Sequence, residues 1–170
     1  MRKSGGSARA EHQFPAVYDE NSRLLILGSF PSVASRKINF FYGHPQNRFW
    51  RVLSSCFGQP LPKDNDERKA LCLRHGVALY DSIESCLIRG SADSTIEDVA
   101  PADLKDIFAR GKIRRLIFNG KAAEKYFYAY QQAPAEIEVI CLPSTSAANA
   151  AWSLPRLLEA WKPFLCDKQN

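Results

Sequence analysis

Three short polar segments carry the residue types that could bind a flat polar ligand and place a water molecule beside it. The stretch at residues 28–50, GSFPSVASRKINFFYGHPQNRFW, joins a Gly–Pro turn to an aromatic cluster and Asn47. LPSTSAAN, at residues 142–149, collects hydroxyl groups and an amide, and YDS, at residues 80–82, supplies Asp81. These groups form hydrogen bonds with carbonyls, ring nitrogens and phosphate oxygens.

The turn GSFPS follows an apolar run directly. Gly28 permits a close backbone approach, and Pro31 fixes the direction of the chain. The free amides of such a turn suit a ligand carbonyl. An ordinary turn accounts for the same residues, so the motif alone leaves both interpretations open.

The aromatic cluster at residues 40–42, FFY, precedes HPQNRFW. Three adjacent aromatic side chains cannot all face one core, so at least one is expected to face a cleft and to stack on a flat ligand. Asn47 stands at the natural N-cap position of the next helix, and this explains it without any catalytic role. His44, before a proline, is interpreted as orienting the loop rather than as a general base.

The hydroxyl-rich segment LPSTSAANA follows another apolar run. Its hydroxyls and free amides suit phosphate oxygens. A Ser or Thr cap on the last helix explains the same residues equally well.

The elements that must position these segments alternate along the chain. Four apolar runs predict buried strands, at 24–30, 76–82, 113–120 and 137–144. Five segments with capping residues or one apolar face predict helices, at 47–57, 64–76, 101–111, 121–132 and 154–165. The alternation predicts an α/β fold with three layers, α/β/α, around a four-stranded, mostly parallel sheet. Ligands bind beyond the carboxyl ends of such strands, where the polar segments fall.

Length and composition fit one domain. With 170 residues, 45% of them hydrophobic, the chain can build one substantial core. We expect this domain to span 21–166, between a flexible N-terminal arm at 1–20 and a tail at 167–170. The polar connection at 84–100 is a candidate functional loop. The formal net charge of +5 makes nucleic acid a plausible partner, although this signal is weak alone.

Several function classes find no support in the sequence. No apolar run approaches the roughly 20 residues of a membrane span, and the basic start lacks the apolar stretch of a secretory signal, so no membrane partner and a cytoplasmic location are expected. The five cysteines form no C-x-x-C pair and favour buried thiols over a metal site. Nucleotide-binding glycine motifs and a carboxylate cluster for Mg²⁺ are absent from the sequence.

Taken together, GSFPS, HPQNRFW and LPSTSAAN resemble the motifs of the uracil-DNA glycosylase superfamily. The resemblance runs from about Leu24 to Trp161 and is strongest to the hypoxanthine-DNA glycosylase branch. It implies a monofunctional enzyme that flips a deaminated base, hypoxanthine above all, out of double-stranded DNA and hydrolyses its N-glycosidic bond. It implies neither a metal nor another cofactor, and we expect a monomer.

The resemblance also implies how the base is held. Gly28, Ser29 and Phe30 would form the turn whose amides donate to the purine O6, and Tyr42 would stack on the base. Asp81 would accept a hydrogen bond from N1–H of hypoxanthine and repel adenine, whose N1 is itself an acceptor. A buried, capping aspartate is an alternative interpretation of Asp81.

Water and DNA would be held by other residues of the same motifs. Asn47 is predicted to place the attacking water, with Asn39 as a weaker candidate. The residues expected to contact the DNA strand are Pro31, Ser32, Ser144, Thr145, Ser146, Ala147 and Asn149.

Three positions depart from the family motifs. Phe30 stands where the mismatch-specific branch has Asn and the best-known uracil branch has Asp, and Leu142 stands where the latter has His. Ala147 replaces the proline usual in the hypoxanthine branch. Strong uracil activity is therefore not expected. Two alternatives stay open: a uracil or mismatch-specific glycosylase, and a DNA-binding module of the same fold that has lost catalysis.

Overall fold

A computed structural model describes residues 6–166 of the chain. Seven strands and six α-helices lie within this part. In chain order they are β1 (Ala8–Glu11), β2 (Leu24–Gly28), α1 (Val33–Ile38), α2 (Phe49–Cys56), α3 (Asn65–Arg74), β3 (Val77–Asp81), β4 (Ile83–Ile88), β5 (Glu97–Pro101), α4 (Lys105–Arg110), β6 (Arg115–Asn119), α5 (Lys121–Tyr128), β7 (Glu138–Leu142) and α6 (Leu154–Leu165).

The central sheet has four parallel strands in the order β3-β2-β6-β7. Ile26 of β2 lies opposite Leu79 of β3 and Ile117 of β6, and all three side chains are fully buried. A strand covered on both faces must be apolar throughout, which is why β2 reads LLILG. The predicted α/β fold with a four-stranded parallel sheet flanked by helices is confirmed.

Side chains cap α1, α3 and α6, whereas α2, α4 and α5 begin without a side-chain cap. Helix α6 has the predicted bounds, the other four predicted helices are shorter than predicted, and α1 was not predicted. Asp64 caps α3, since its Oδ1 accepts a hydrogen bond from the amide of Glu67 at 2.8 Å. Helix α2 packs on α6, with the rings of Phe49 and Trp161 edge to face at 6.3 Å. These two helices therefore carry the aromatic motif and the chain terminus in one packed layer.

A second sheet, which the sequence patterns did not predict, consists of β1, β4 and β5 in antiparallel order β1-β4-β5. The segment 84–100, interpreted as a polar connection, contains most of β4 and β5. Phe30 packs in the small apolar cluster under this sheet, beside Ile83 and Ile96. This second sheet therefore continues the chain after β3 and lies next to the GSFPS turn that follows β2.

The prediction of a flexible arm over 1–20 is wrong for residues 8–17. Strand β1 pairs with β4, with Ala8 opposite Ile88, and the buried Phe14 and Val17 continue into the core. The reason is a long-range ladder: a polar four-residue strand has no apolar pattern of its own and is ordered by its partner. The predicted tail at 167–170 lies outside the described residues.

Candidate active site

A cleft of about 290 Å³ opens at the carboxyl edge of the central sheet, where the loops after β2, β3, β6 and β7 meet. Parallel strands place their carboxyl ends on one edge, so segments distant in sequence converge there. Every predicted site residue except Asn149 and the weaker candidate Asn39 lines this cleft. The predicted residues that line it are Gly28, Ser29, Phe30, Pro31, Ser32, Tyr42, Asn47, Asp81, Ser144, Thr145, Ser146 and Ala147.

The floor of the cleft is formed by Asp81, the last residue of β3, packed against Gly28, the last residue of β2. A Cβ atom at Gly28 would lie 2.4 Å from Asp81 Oδ1, closer than any real contact, so only glycine fits beside this carboxyl. Asp81 Oδ2 is 2.7 Å from Nε2 of His12. The side chains are 5% and 0% exposed, respectively, so this pair is buried beneath the cleft.

Tyr42 forms one wall. Its ring stacks on Phe49 at 4.0 Å between centroids, and its backbone has φ +52°, an unusual value for a bulky residue. Its hydroxyl is buried and makes no hydrogen bond within the described residues. Burial raises the pKa of this hydroxyl, and the charge of Asp81 raises it further, so the group stays a neutral donor. Phe41, the neighbouring aromatic, is buried in the core and also borders the cleft.

Two residues of the turn that line the cleft, Ser29 and Phe30, keep unpaired backbone donors. Their amide nitrogens donate no hydrogen bond to any described residue. The carbonyl of Ser29 is occupied, because it accepts a hydrogen bond from the amide of Ile83 at 3.1 Å. The turn therefore offers N–H groups at the floor, next to the carboxyl oxygen of Asp81 that faces Gly28.

Asn47 connects the aromatic motif to the hydroxyl-rich segment. Its Oδ1 accepts hydrogen bonds from the amide of Phe49 and the hydroxyl of Thr145, both at 2.9 Å. An amide oxygen has two lone pairs, so both acceptor positions are occupied. The Nδ2 group makes no hydrogen bond to a described residue and is the part of Asn47 left for a ligand or water.

Asn119, at the end of β6, completes this connection. Its Oδ1 accepts from the amide of Thr145, and its Nδ2 donates to the hydroxyl of Thr145, both at 3.0 Å. Thr145 is fully buried as a result. The predicted DNA contact at Thr145 is thus a side chain whose hydrogen bonds are all internal, and it positions Asn47.

Arg48 supports the hydroxyl-rich loop from inside. Its guanidinium donates to the carbonyl groups of Thr145, Ser146, Asn149 and Trp152. One guanidinium therefore holds four carbonyls of the loop and fixes its shape. Sequence reasoning passed over this arginine, although its place beside Asn47 in HPQNRFW was the available signal.

The serine hydroxyls of this loop make short local hydrogen bonds. Ser144 Oγ accepts from the amide of Ser146, and Ser146 Oγ accepts from the amide of Ala148, both at 3.2 Å. Both hydroxyls keep their protons for an outside acceptor. Asn149 does not line the cleft, because its Nδ2 donates to the carbonyl of Ser144 at 3.0 Å and closes the loop.

Other candidates fall into structural roles. Ser32 borders the cleft but caps α1, accepting from the amide of Ser35 at 3.1 Å. Asn39 ends that helix at φ +55° on the exposed surface and does not line the cleft, so the structure gives it no place near a bound water. His44 lines the cleft, and its Nδ1 accepts from the amide of Gln46.

Asp93, in a single 3-10 turn between β4 and β5, stands at the rim of the cleft. Its Oδ1 accepts a hydrogen bond from the hydroxyl of Ser29 at 2.9 Å. Partial burial raises the pKa of this carboxyl, the hydrogen bond from Ser29 opposes that shift, and the charge of Asp81 adds to it. The sequence had marked 84–100 as a possible functional connection without naming this residue.

Residues 6–166 offer neither a metal site nor a membrane-spanning helix. No group of His, Cys, Asp and Glu side chains there could hold a metal ion. No helix there is long and apolar enough to cross a membrane. All five cysteines are free, and Cys56, Cys72 and Cys86 are buried.

The fold and the cleft define an α/β protein with a polar cleft, walled by Tyr42, at the carboxyl edge of a parallel sheet. Comparison with known families is more specific, since residues 15–165 match the family model of the uracil DNA glycosylase superfamily. The chain belongs to this superfamily.

Individual relatives agree with that assignment. A hypoxanthine DNA glycosylase of Methanosarcina acetivorans is 38% identical over 147 residues, covering 84% of this chain and 90% of its own. A hypoxanthine DNA glycosylase of Methanosarcina barkeri is 34% identical over 140 residues, covering 80% and 86%. A solution NMR structure from Methanosarcina acetivorans, provisionally described as a uracil DNA glycosylase, superposes with a TM-score of 0.76 at 32% identity, covering 89% of this chain and 94% of its own.

Proposed function

We propose that this protein is a monofunctional DNA glycosylase that removes hypoxanthine from double-stranded DNA. One observation carries the proposal: the cleft floor sets an acceptor, Asp81 Oδ1, beside free donors, the amides of Ser29 and Phe30. Hypoxanthine presents the complementary pair, an N1–H donor next to the O6 acceptor. The names of the two Methanosarcina relatives point to the same base.

The floor also accounts for rejection of adenine. Adenine carries an acceptor at N1 and an amino donor at N6, the reverse of hypoxanthine, so both positions would meet a group of the same kind. Leaving buried polar groups unpaired costs about 1–3 kcal/mol each. The ring of Tyr42, backed by Phe49, supplies a flat surface on which the purine stacks.

Cleavage follows from placing water next to a sugar that gains positive charge. The C1′–N9 bond breaks with its electron pair on the purine, and a water lone pair forms the new bond to C1′. We assign Asn47 to hold this water by donating Nδ2–H to its oxygen, since Oδ1 is occupied. The departing negative charge is stabilised by the donors at O6, and the purine then takes a proton from solvent.

Asn47 with an occupied oxygen cannot accept the proton that the water loses. Asp93 lines the same cleft and, when ionised, has acceptor capacity left after its hydrogen bond from Ser29. We therefore assign Asp93 as the acceptor of the water proton, reached through a second water because Asn47 and Asp93 stand toward opposite ends of the cleft.

DNA is held at the loop that follows β7. The hydroxyls of Ser144 and Ser146 donate to phosphate oxygens beside the lesion, and Ala147 enters the gap left by the flipped base. Flipping costs least at a mispair, so hypoxanthine opposite thymine is the favoured substrate.

The decisive experiment compares wild-type cleavage of duplexes that carry hypoxanthine, xanthine or uracil at one position, before and after alkali. Hypoxanthine release that needs alkali to break the strand is the expected result. Robust uracil release with intact hypoxanthine favours the second candidate, a uracil or mismatch-specific glycosylase. This candidate is supported by the provisional description of the NMR structure.

A binding module without catalysis is tested separately. With Asn47→Ala, a loss of cleavage while affinity for lesion DNA persists supports the catalytic assignment. If neither wild type nor variant cleaves any of the three lesions and the variant binds DNA more weakly, the module interpretation replaces the proposed enzyme.

A further inference from the structure

We propose that His12 is a specificity-determining positioning residue, which keeps Asp81 as a hydrogen-bond acceptor toward the base. The inference rests on the proposed function and names a residue outside the polar segments of the motifs. His12 also lies outside the stretch that matches the family model, which begins at residue 15. Its Nε2 is 2.7 Å from Asp81 Oδ2, although 69 positions separate the two residues.

The proton on the other ring nitrogen is fixed by the backbone. Nδ1 of His12 lies 2.9 Å from the carbonyl oxygen of Phe14, and a carbonyl oxygen can only accept. Nδ1 must therefore carry the hydrogen. Nε2 is then either a second donor, in a cationic ring, or a bare acceptor, in a neutral ring.

Both possibilities have the same consequence for Asp81. If the ring is cationic, Nε2–H donates to the Oδ2 of a carboxylate. If the ring is neutral, Nε2 accepts the O–H of a protonated carboxyl, and that hydrogen is again on Oδ2. In either state Oδ1 carries no hydrogen and presents only lone pairs beside Gly28 at the cleft floor.

The packing around the ring prevents other arrangements. The His12 side chain is 0% exposed and contacts Tyr80 and Phe14, with ring centroids 4.4 and 4.5 Å apart, while Phe41 closes a third side at 5.8 Å. Just before it, β1 pairs with β4, and the amide of His12 donates to the carbonyl of Glu84 at 2.8 Å. The ring is held in one position from both backbone and side chain.

Without His12, the carboxyl loses its orientation. A carboxyl buried without a cation or an acceptor partner favours the neutral acid, whose O–H can turn to either oxygen. It could then donate to N1 of adenine as readily as accept from hypoxanthine. We therefore expect His12→Phe to lose discrimination between the two bases.

The test measures binding directly, since adenine and hypoxanthine differ in how easily they leave. Duplexes carry 2′-fluoro-2′-deoxyinosine or 2′-fluoro-2′-deoxyadenosine, which resist cleavage, opposite a tetrahydrofuran abasic residue so that base pairing does not contribute. The readout is the dissociation constant of the adenine duplex divided by that of the hypoxanthine duplex. His12→Phe is expected to reduce the wild-type ratio about 10-fold or more, since one inverted buried hydrogen bond separates the bases.

A substitution of Asp81, the hydrogen-bond partner of His12, makes the test more specific. In Asp81→Asn, a neutral His12 would accept the amide N–H and leave the amide oxygen toward the base, so the ratio should stay within about 3-fold of wild type, less than one net hydrogen bond. The double variant that carries both His12→Phe and Asp81→Asn should lose the wild-type preference for hypoxanthine. Tyr80→Phe is the matched control, because it touches the His12 ring and its hydroxyl donates to Glu84 instead.

The outcomes are separable. A His12→Phe variant that folds and keeps the wild-type ratio overturns the inference alone, as does loss of the ratio in Asp81→Asn. If His12→Phe does not fold, ¹⁵N NMR of the wild-type His12 ring tests the inference instead. An imidazole without hydrogen on Nδ1 contradicts the inference. A wild-type protein that neither cleaves nor prefers hypoxanthine overturns the proposed function, and the inference with it.

Discussion

The two ends of the cleft use different chemistry. The acidic side, defined by Asp81 and Asp93, lies beyond β3 and carries both carboxyl groups of the lining. The hydroxyl side, defined by Ser144, Thr145 and Ser146, lies beyond β7 and offers neutral donors supported by Arg48. The difference comes from the strand end at Asp81 and from the turn that carries Asp93 between β4 and β5.

Under the proposed function, this difference predicts how DNA crosses the protein. Phosphate groups should be repelled by the acidic side and accept hydrogen bonds from the hydroxyl side, so we expect the strand to run over the end of β7 and the flipped base to point toward β3. Changes on the acidic side should therefore alter chemistry and base choice. Apart from Asn47, which Thr145 positions, changes on the hydroxyl side should alter affinity.

The largest effect is expected for Asp93→Asn, which removes the proposed proton acceptor. We expect a loss of about 1000-fold in single-turnover cleavage of hypoxanthine, within the range for a general base. Since only the ionised carboxylate accepts a proton and its pKa is raised above 3.8, wild-type rates should fall with decreasing pH through a midpoint above 3.8. This acid limb should vanish in the variant.

The matched control is Asp66→Asn, at an exposed position in the first turn of α3. It makes the same change in charge away from the cleft and should retain wild-type rates. An Asp93→Asn enzyme with full activity and an unchanged pH profile would show that Asp93 is not the acceptor of the water proton.

A second change on the acidic side, Gly28→Ala, should reduce cleavage about 100-fold. The new Cβ would lie 2.4 Å from Asp81 Oδ1 and 3.1 Å from the Tyr42 hydroxyl, so the floor must shift, and shifts of about 1 Å cost rates of this size. DNA affinity should change little. Gly6→Ala, with nothing within 4 Å, is the control for the substitution itself.

On the hydroxyl side, Arg48→Met should weaken DNA binding about 10-fold and lower the free energy of unfolding by about 2 kcal/mol. The loop carbonyls would lose a charged donor, and such hydrogen bonds contribute roughly 1.5–3 kcal/mol. Denaturant unfolding and DNA titration measure the two effects. Arg51→Met, exposed on the same helix α2, should show neither; equal losses in both variants would remove the proposed role of Arg48.

The smallest effect is expected for Ser146→Ala, about 3-fold in affinity, the value of one exposed neutral hydrogen bond to phosphate. Cleavage at saturating enzyme should not change. Ser55→Ala, exposed on α2, is the control. A reduction in the cleavage step itself would mean that the hydroxyl side takes part in chemistry, and the division between the two sides would fail.

The sequence made the hydroxyl side and the turn after β2 predictable, because each follows a buried parallel strand. Such strands are recognised in the sequence as continuous apolar runs, and their carboxyl ends lie at one edge of the sheet. The positions of Tyr42, Asn47 and Asp81 followed from the same rule together with the family resemblance. The sequence did not predict that Asn47 Oδ1 accepts a hydrogen bond from the hydroxyl of Thr145, because the two residues are 98 positions apart.

Residues His12 and Asp93 escaped prediction for a different reason. Both lie in polar segments without a hydrophobic period, and both are ordered by the second sheet. Strand β1 has four residues, with the sequence ARAE, and becomes a strand only because β4 offers a partner edge. Local patterns do not encode such pairing, so the segment appeared to be a free arm.

Strand β1 and the residues up to Phe14 precede the part of the chain that matches the family model. The proposed base-reading group, Asp81, is therefore braced by an N-terminal segment that lies outside the matched stretch. Trimming this chain to residue 15 would remove that brace. Conversely, libraries varied only at residues 8–14 offer a route to glycosylases with altered base preference on an untouched catalytic scaffold.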